Sequence, residues 1–130
     1  MPRDVVQLDN VTPQVPLSPA VRAGDFIFVS GQVSMDLETW TFIDGTIEEQ
    51  TRRTLENIEK ILAAAGASRQ DIVKVNAYLA DMSLFPRFNE AYKEFWPDTY
   101  PARTTVGALL SRVLVEIEAV AYVGPRTGQS

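Results

Sequence analysis

The run Val113–Val123 constrains the fold more than any other stretch of the chain. In an extended strand Val113, Val115, Ile117, Ala119 and Ala121 share one face, while Leu114, Glu116, Glu118, Val120 and Tyr122 share the other. A strand with apolar residues on both faces needs cover from both sides, which requires a layered sheet. Phe26-Ile27-Phe28-Val29, which follows the turn signal Ala23-Gly24-Asp25, carries the same message.

The remaining elements follow from local signals. Four of the eight prolines, Pro2, Pro13, Pro16 and Pro19, fall in the first twenty residues, so this arm holds one short strand near Val5–Leu8 and then extended chain. Residues 34–45 read as a surface loop ending in Asp44-Gly45. Thr46 and Glu49 form a capping-box pattern ahead of Ile47, Thr51, Leu55, Ile58 and Leu62, predicting a helix over 47–65 that Gly66 stops. Ile72–Leu79 alternates as a strand, with Val73, Val75, Ala77 and Leu79 on one face. Phe85, Phe88, Tyr92 and Phe95 mark a second helix over 84–96, with Ser83 as cap and Pro97 as terminator. Ala102–Gly107 and Val113–Val123 are expected to pair as an antiparallel hairpin.

The fold class expected is α+β: one mixed β-sheet with two helices packed on one face, as a single domain over residues 1–130. Two helices cover one face only, so another subunit is expected on the second.

Composition narrows the chemistry. Cysteine and histidine are both absent, which removes disulfides, thiolate zinc sites, cysteine nucleophiles and any imidazole base. Carboxylate, Tyr, Lys and water remain for proton transfer. A net charge of −5 offers no general attraction for phosphate backbones, so nucleic acid is an unlikely partner. With no apolar run of membrane-spanning length and no signal-like N-terminus, a cytoplasmic protein is expected.

Glu116 and Glu118 interrupt an otherwise apolar row of the last strand, and carboxylates on a partly buried face need a cation or a donor. Arg103, on the neighbouring strand of the expected hairpin, is the candidate. Either a plain cross-strand ion pair or a site for an anionic ligand would satisfy these residues.

The segments Val29-Ser30-Gly31-Gln32, Gln50-Thr51 through Asn57, Ala64-Ala65-Gly66, Asp71-Ile72-Val73-Lys74-Val75, Phe88-Asn89-Glu90-Ala91-Tyr92, Pro101-Ala102-Arg103 and Val115-Glu116-Ile117-Glu118-Ala119 stand in one order along the chain. Together they resemble the reactive intermediate deaminase A family, the Rid or YjgF-like proteins often labelled endoribonuclease L-PSP. The resemblance implies a chorismate-mutase-like subunit, a homotrimer with clefts between neighbours, and hydrolysis of 2-imino and enamine acids such as 2-iminopropanoate and 2-iminobutanoate to 2-oxo acids and ammonia. It implies no metal and no organic cofactor. Carried over, Arg103 binds the substrate carboxylate and Glu116 handles protons and the attacking water. Ser30 and Asn89 are polar residues near the cleft, and the backbone carbonyl of Thr105 positions water.

Three departures from the family pattern stand out. Leu17 occupies a position where the family usually has a tyrosine, Thr105 replaces a frequent Cys or Val, and the 103–116 segment is shorter and lacks its Leu-Pro turn. Trp40, in the loop after the first core strands, is either a pocket wall or a surface patch. The alternative to a deaminase is a non-catalytic, regulatory or chaperone-like binder of small carboxylates; a ribonuclease is disfavoured by the charge.

Overall fold

In the computed structural model of the chain, residues 2–125 are described. Six strands form one sheet: β1 (Asp4–Val6), β2 (Ala20–Ala23), β3 (Phe26–Gln32), β4 (Ile72–Leu79), β5 (Ala102–Gly107) and β6 (Val115–Tyr122). Two helices, α1 (Ile47–Ala64) and α2 (Phe85–Glu94), lie against it. The spatial order is β1-β2-β3-β6-β4-β5, with only the β4–β5 pair parallel. The expected α+β fold, a mixed sheet with two helices on one face, is what forms.

The capping box forms as expected: Glu49 N–H donates to Thr46 Oγ1 at 3.2 Å, and Thr46 N–H to Glu49 Oε1 at 2.9 Å. Helix α1 buries Ile47, Leu55, Ile58, Ile61 and Leu62 against Ile27, Val29, Val115 and Ile117. Strand β6 alternates strictly, its Val115, Ile117, Ala119 and Ala121 side chains closed under the helices. Arg87 of α2 grips Glu48 of α1 with two hydrogen bonds of 2.7 and 2.8 Å, holding the helices together at one end.

Two expectations fail. Ser83 does not cap α2: it lies in a one-turn 3-10 segment, Met82–Leu84, where Asp81 accepts its N–H, and α2 starts at Phe85. More consequentially, β5 and β6 are not a hairpin. Strand β5 pairs in parallel with β4, Val75 opposite Arg103, and β6 inserts between β3 and β4. The 108–112 connection lacks the Asn-Gly or Asp-Gly pair that closes a tight hairpin. Burial decides the order: β6, apolar along a whole face, gains two neighbours at the centre, whereas Arg103-Thr104-Thr105 suits an edge.

Among the described residues, no helix covers the opposite face of the sheet. Phe26 and Phe28 are 41% and 46% exposed there, with the Phe26 ring 5.2 Å from that of Tyr122. Tyr78, Glu116, Glu118 and Val120 share this open face, as does Lys74, which donates to Thr104 Oγ1 at 2.9 Å.

Candidate active site

Because β4 separates β5 from β6, the expected Arg103–Glu116 or Arg103–Glu118 ion pair does not form; the two residues point to opposite faces of the sheet. Arg103, beside Val75 in the register, lies on the helix face. Its guanidinium carbon sits 4.7 Å from the ring centre of Tyr92, 5.3 Å from Phe88 and 5.6 Å from Phe85, a cradle spaced at one helical repeat along α2. Among the described residues it has no carboxylate partner.

Beside this guanidinium face, α2 carries Asn89 and β5 carries Thr105, two positions on from Arg103 and so on the same side. Asn89 Oδ1 and Thr105 Oγ1 are buried without a hydrogen-bond partner among the described residues. A buried polar atom left unpaired is costly. Burial pushes the Tyr92 hydroxyl up to about 12, against the opposing influence of the Arg103 charge, and Tyr92 stays neutral. Arg103 and Thr105 on β5 and Asn89 on α2 are thus polar residues at one edge of the sheet.

Glu116 lies on the open face of the sheet. It stands opposite Tyr78 in the β4–β6 register, and Tyr78 donates its hydroxyl to Glu118 Oε1 at 2.6 Å. Glu116 itself has no hydrogen-bond donor among the described residues. Burial pushes its carboxyl above the usual range, and the neighbouring Glu118 charge adds to the shift. Its carboxylate lies where a side chain on Gly31 would stand, so the glycine of Ser30-Gly31-Gln32 is needed for this approach.

Leu17 and Glu116 line one cavity of about 560 Å³. The N-terminal arm, the 35–42 loop and the 109–113 segment close around it, contributing Trp40, Phe42, Leu109 and Arg112. Trp40 is thus a pocket wall. Ser30 donates its hydroxyl to the Ser18 carbonyl at 2.6 Å and its N–H to the Pro19 carbonyl at 2.9 Å, leaving its hydroxyl oxygen able to accept. It fixes the arm that carries Leu17.

Two buried amides hold the cavity walls to α1. Asn57 Nδ2 donates to the carbonyls of Val33, at 3.1 Å, and Met35, at 2.9 Å. Gln50 donates to Gly45 O at 3.1 Å and accepts from Leu114 N–H at 3.0 Å. Sequence reading singled out the segment bearing these residues without their role. The signal was there: polar amides at positions where the helix period demands apolar ones.

The arrangement offers an unpaired guanidinium suited to a carboxylate, and a half-buried acid beside an apolar cavity. The family described as endoribonuclease L-PSP matches residues 8–123. A RutC family protein of Pyrococcus horikoshii is 43% identical over 123 residues, covering 92% of this chain and 98% of its own. The 2-iminobutanoate/2-iminopropanoate deaminase of Homo sapiens is 38% identical over 117 residues, covering 88% and 85%. Among solved structures, that of E. coli TdcF with bound serine superposes with a TM-score of 0.84 at 31% identity, covering 93% of this chain and 99% of that one. The chain belongs to the endoribonuclease L-PSP family, that of the YjgF and Rid proteins.

Proposed function

We propose that the protein is a cofactor-independent deaminase that hydrolyses 2-imino and enamine acids to 2-oxo acids and ammonia, in clefts shared between the subunits of a homotrimer. One observation carries the reading: Arg103 and Glu116 project from opposite faces of one sheet, neither with an ion-pair partner among the described residues, so a substrate reaches both only where two copies meet. The uncovered aromatic face beside Glu116 gives a second copy somewhere to pack. The deaminase name of the human relative supports the reaction class, and serine bound to TdcF supports a small carboxylate as ligand.

In this reading Arg103 of one copy holds the substrate carboxylate through its planar pair of donors, and Asn89 and the Thr105 backbone line the same half. Glu116 of the next copy faces the imine. Water adds to the imine carbon, forming a C–O bond while the C=N π electrons take a proton at nitrogen. The carbinolamine then loses ammonia as nitrogen gains a second proton, and the hydroxyl gives up its own to leave the 2-oxo acid. A carboxyl raised by burial exchanges protons nearer neutral pH than an exposed one, as both transfers require. No nucleophilic side chain is needed.

Mixed assemblies test the shared site. Arg103→Ala and Glu116→Gln are each expected to be inactive toward imines generated by an amino-acid oxidase and trapped with semicarbazide. Unfolded together and reassembled in equal amounts, they should recover about a quarter of wild-type activity, because random neighbours rebuild that share of sites with both residues intact. Failure to recover activity in assemblies shown by mass spectrometry to be mixed would sink the shared cleft. If the wild type accelerates no imine at all while still binding 2-oxo acids, the protein is a carboxylate binder.

A further inference from the structure

The 35–42 loop is a tight turn built by its own polar groups. Asp36 N–H donates to Thr41 O at 2.9 Å, Trp40 N–H donates to Asp36 O at 2.8 Å, and Asp36 Oδ1 accepts from the N–H groups of Glu38 and Thr39. Met35 and Phe42 close it as a bridge. Such a turn brings its closing residue into the left-handed region, and that residue is Trp40, at φ 59°. Glycine or asparagine adopts this conformation readily; a bulky aromatic does so at a cost. Backbone strain of this kind persists where the side chain has a use.

The use is visible in the cavity. Trp40 is half-buried there, in a wall shared with Leu17, Phe42 and the fully exposed Leu109, and Glu116 lines the same space. Arg112, the cation of that wall, is committed to Asp44 at 2.5 Å and lies over the Phe42 ring at 5.3 Å, so it stiffens the rim instead of offering a free charge. At about 560 Å³ the space falls within the roughly 300–1,000 Å³ of pockets that enclose drug-sized ligands. An imino acid whose side chain is one methyl group fills little of it.

We infer that Trp40, with Phe42 and Leu109, forms a side-chain pocket next to Glu116 that selects imino acids with large apolar or aromatic side chains over those with a methyl or ethyl group. The inference rests on the reading of Glu116 as part of the substrate site. Leu17 completes the selection, since it supplies apolar contact and no hydroxyl to orient a small substrate.

Calorimetric titration of the assembled protein with phenylpyruvate and with pyruvate, two stable members of the product class, tests the pocket without needing turnover. Phenylpyruvate is expected to bind about tenfold or more tightly than pyruvate. Trp40→Gly removes the wall and relieves the backbone, so it should melt no lower than wild type while its preference falls below about threefold. Leu109→Ser, at a fully exposed position, should weaken the preference without touching the fold. Equal affinity for the two acids, no binding of either, or an undiminished preference in Trp40→Gly overturns the pocket. The imine assay separates the two readings: a Trp40-dependent preference with no hydrolysis removes the deaminase and keeps the pocket, whereas hydrolysis without preference does the reverse.

Discussion

The Glu116 carboxylate occupies the space that a Cβ on Gly31 would fill. Strand β3 thereby sets the position of the acid as firmly as β6 does. Gly31→Ala forces Glu116 to swing aside, and because only the end of a flexible side chain must move, the fold should lose no more than about 1 kcal/mol. Turnover should fall at least tenfold all the same, since proton transfer depends on reach. Paired measurements of melting temperature and imine hydrolysis decide it; full activity in the alanine variant would mean that Glu116 acts from another position.

Arg103 is held by the rings of Phe85, Phe88 and Tyr92 and is partly buried. Arg103→Lys keeps the charge but loses the planar fork, so KM for the imine should rise by about tenfold or more. Loss of the ring contacts should cost roughly 1 kcal/mol of stability. A lysine variant with unchanged KM would show that the guanidinium does not hold the carboxylate.

Two carboxylates should report opposite pH dependences. Glu116 is raised in the folded state, chiefly by burial, so the folded protein prefers its neutral form. The stability this gives is complete below the unfolded value and is lost as pH rises through the folded one. Glu116→Gln should therefore melt higher than wild type at pH 7, with the gap closing in acid. Glu48 is lowered to about 2, first by its hydrogen bond to Arg87. Its contribution is present above the ordinary value of 4.5 and disappears as pH falls toward about 2, so Glu48→Gln should melt lower than wild type at pH 7 and match it in strong acid. Melting curves across pH 2–8 would show both trends.

Asn57→Leu leaves the Val33 and Met35 carbonyls inside the protein without their donor, at a cost of about 1–3 kcal/mol. The loosened 33–35 segment also carries the loop of Trp40. Ligand affinity should drop along with thermal stability, and hydrogen exchange should rise first in residues 33–42. Uniformly distributed exchange would argue against a local clamp.

Local chemistry was readable from the sequence, and long-range pairing was not. The Thr46–Glu49 box and the two faces of β6 depend on spacing within a few residues, and both stand where expected. Pairing β5 with β6 followed from their closeness in the chain, and burial overruled it. That one change of neighbour put Arg103 and Glu116 on opposite faces, so the expected ion pair does not form. Of the carried-over residues, Arg103 and Thr105 stand on β5 and Asn89 on α2, Leu17 and Glu116 line one cavity, and Ser30 braces the arm. Trp40 stood out by type, but its pocket depended on a turn whose backbone no residue pattern announced, because the usual glycine is missing.

The position of β6 also governs how the chain comes to be folded. Strands β1–β3 and the β4–α2–β5 unit lie on either side of it, and among the described residues no other strand joins the two halves. During synthesis the halves emerge first and the strand that links them emerges last. The sheet therefore cannot close until β6 has emerged, and until then both halves expose the backbone edges that β6 will pair. A ribosome-stalled chain ending before Val115 should remain sensitive to protease throughout, and full protection should appear in one step once Tyr122 has cleared the exit tunnel.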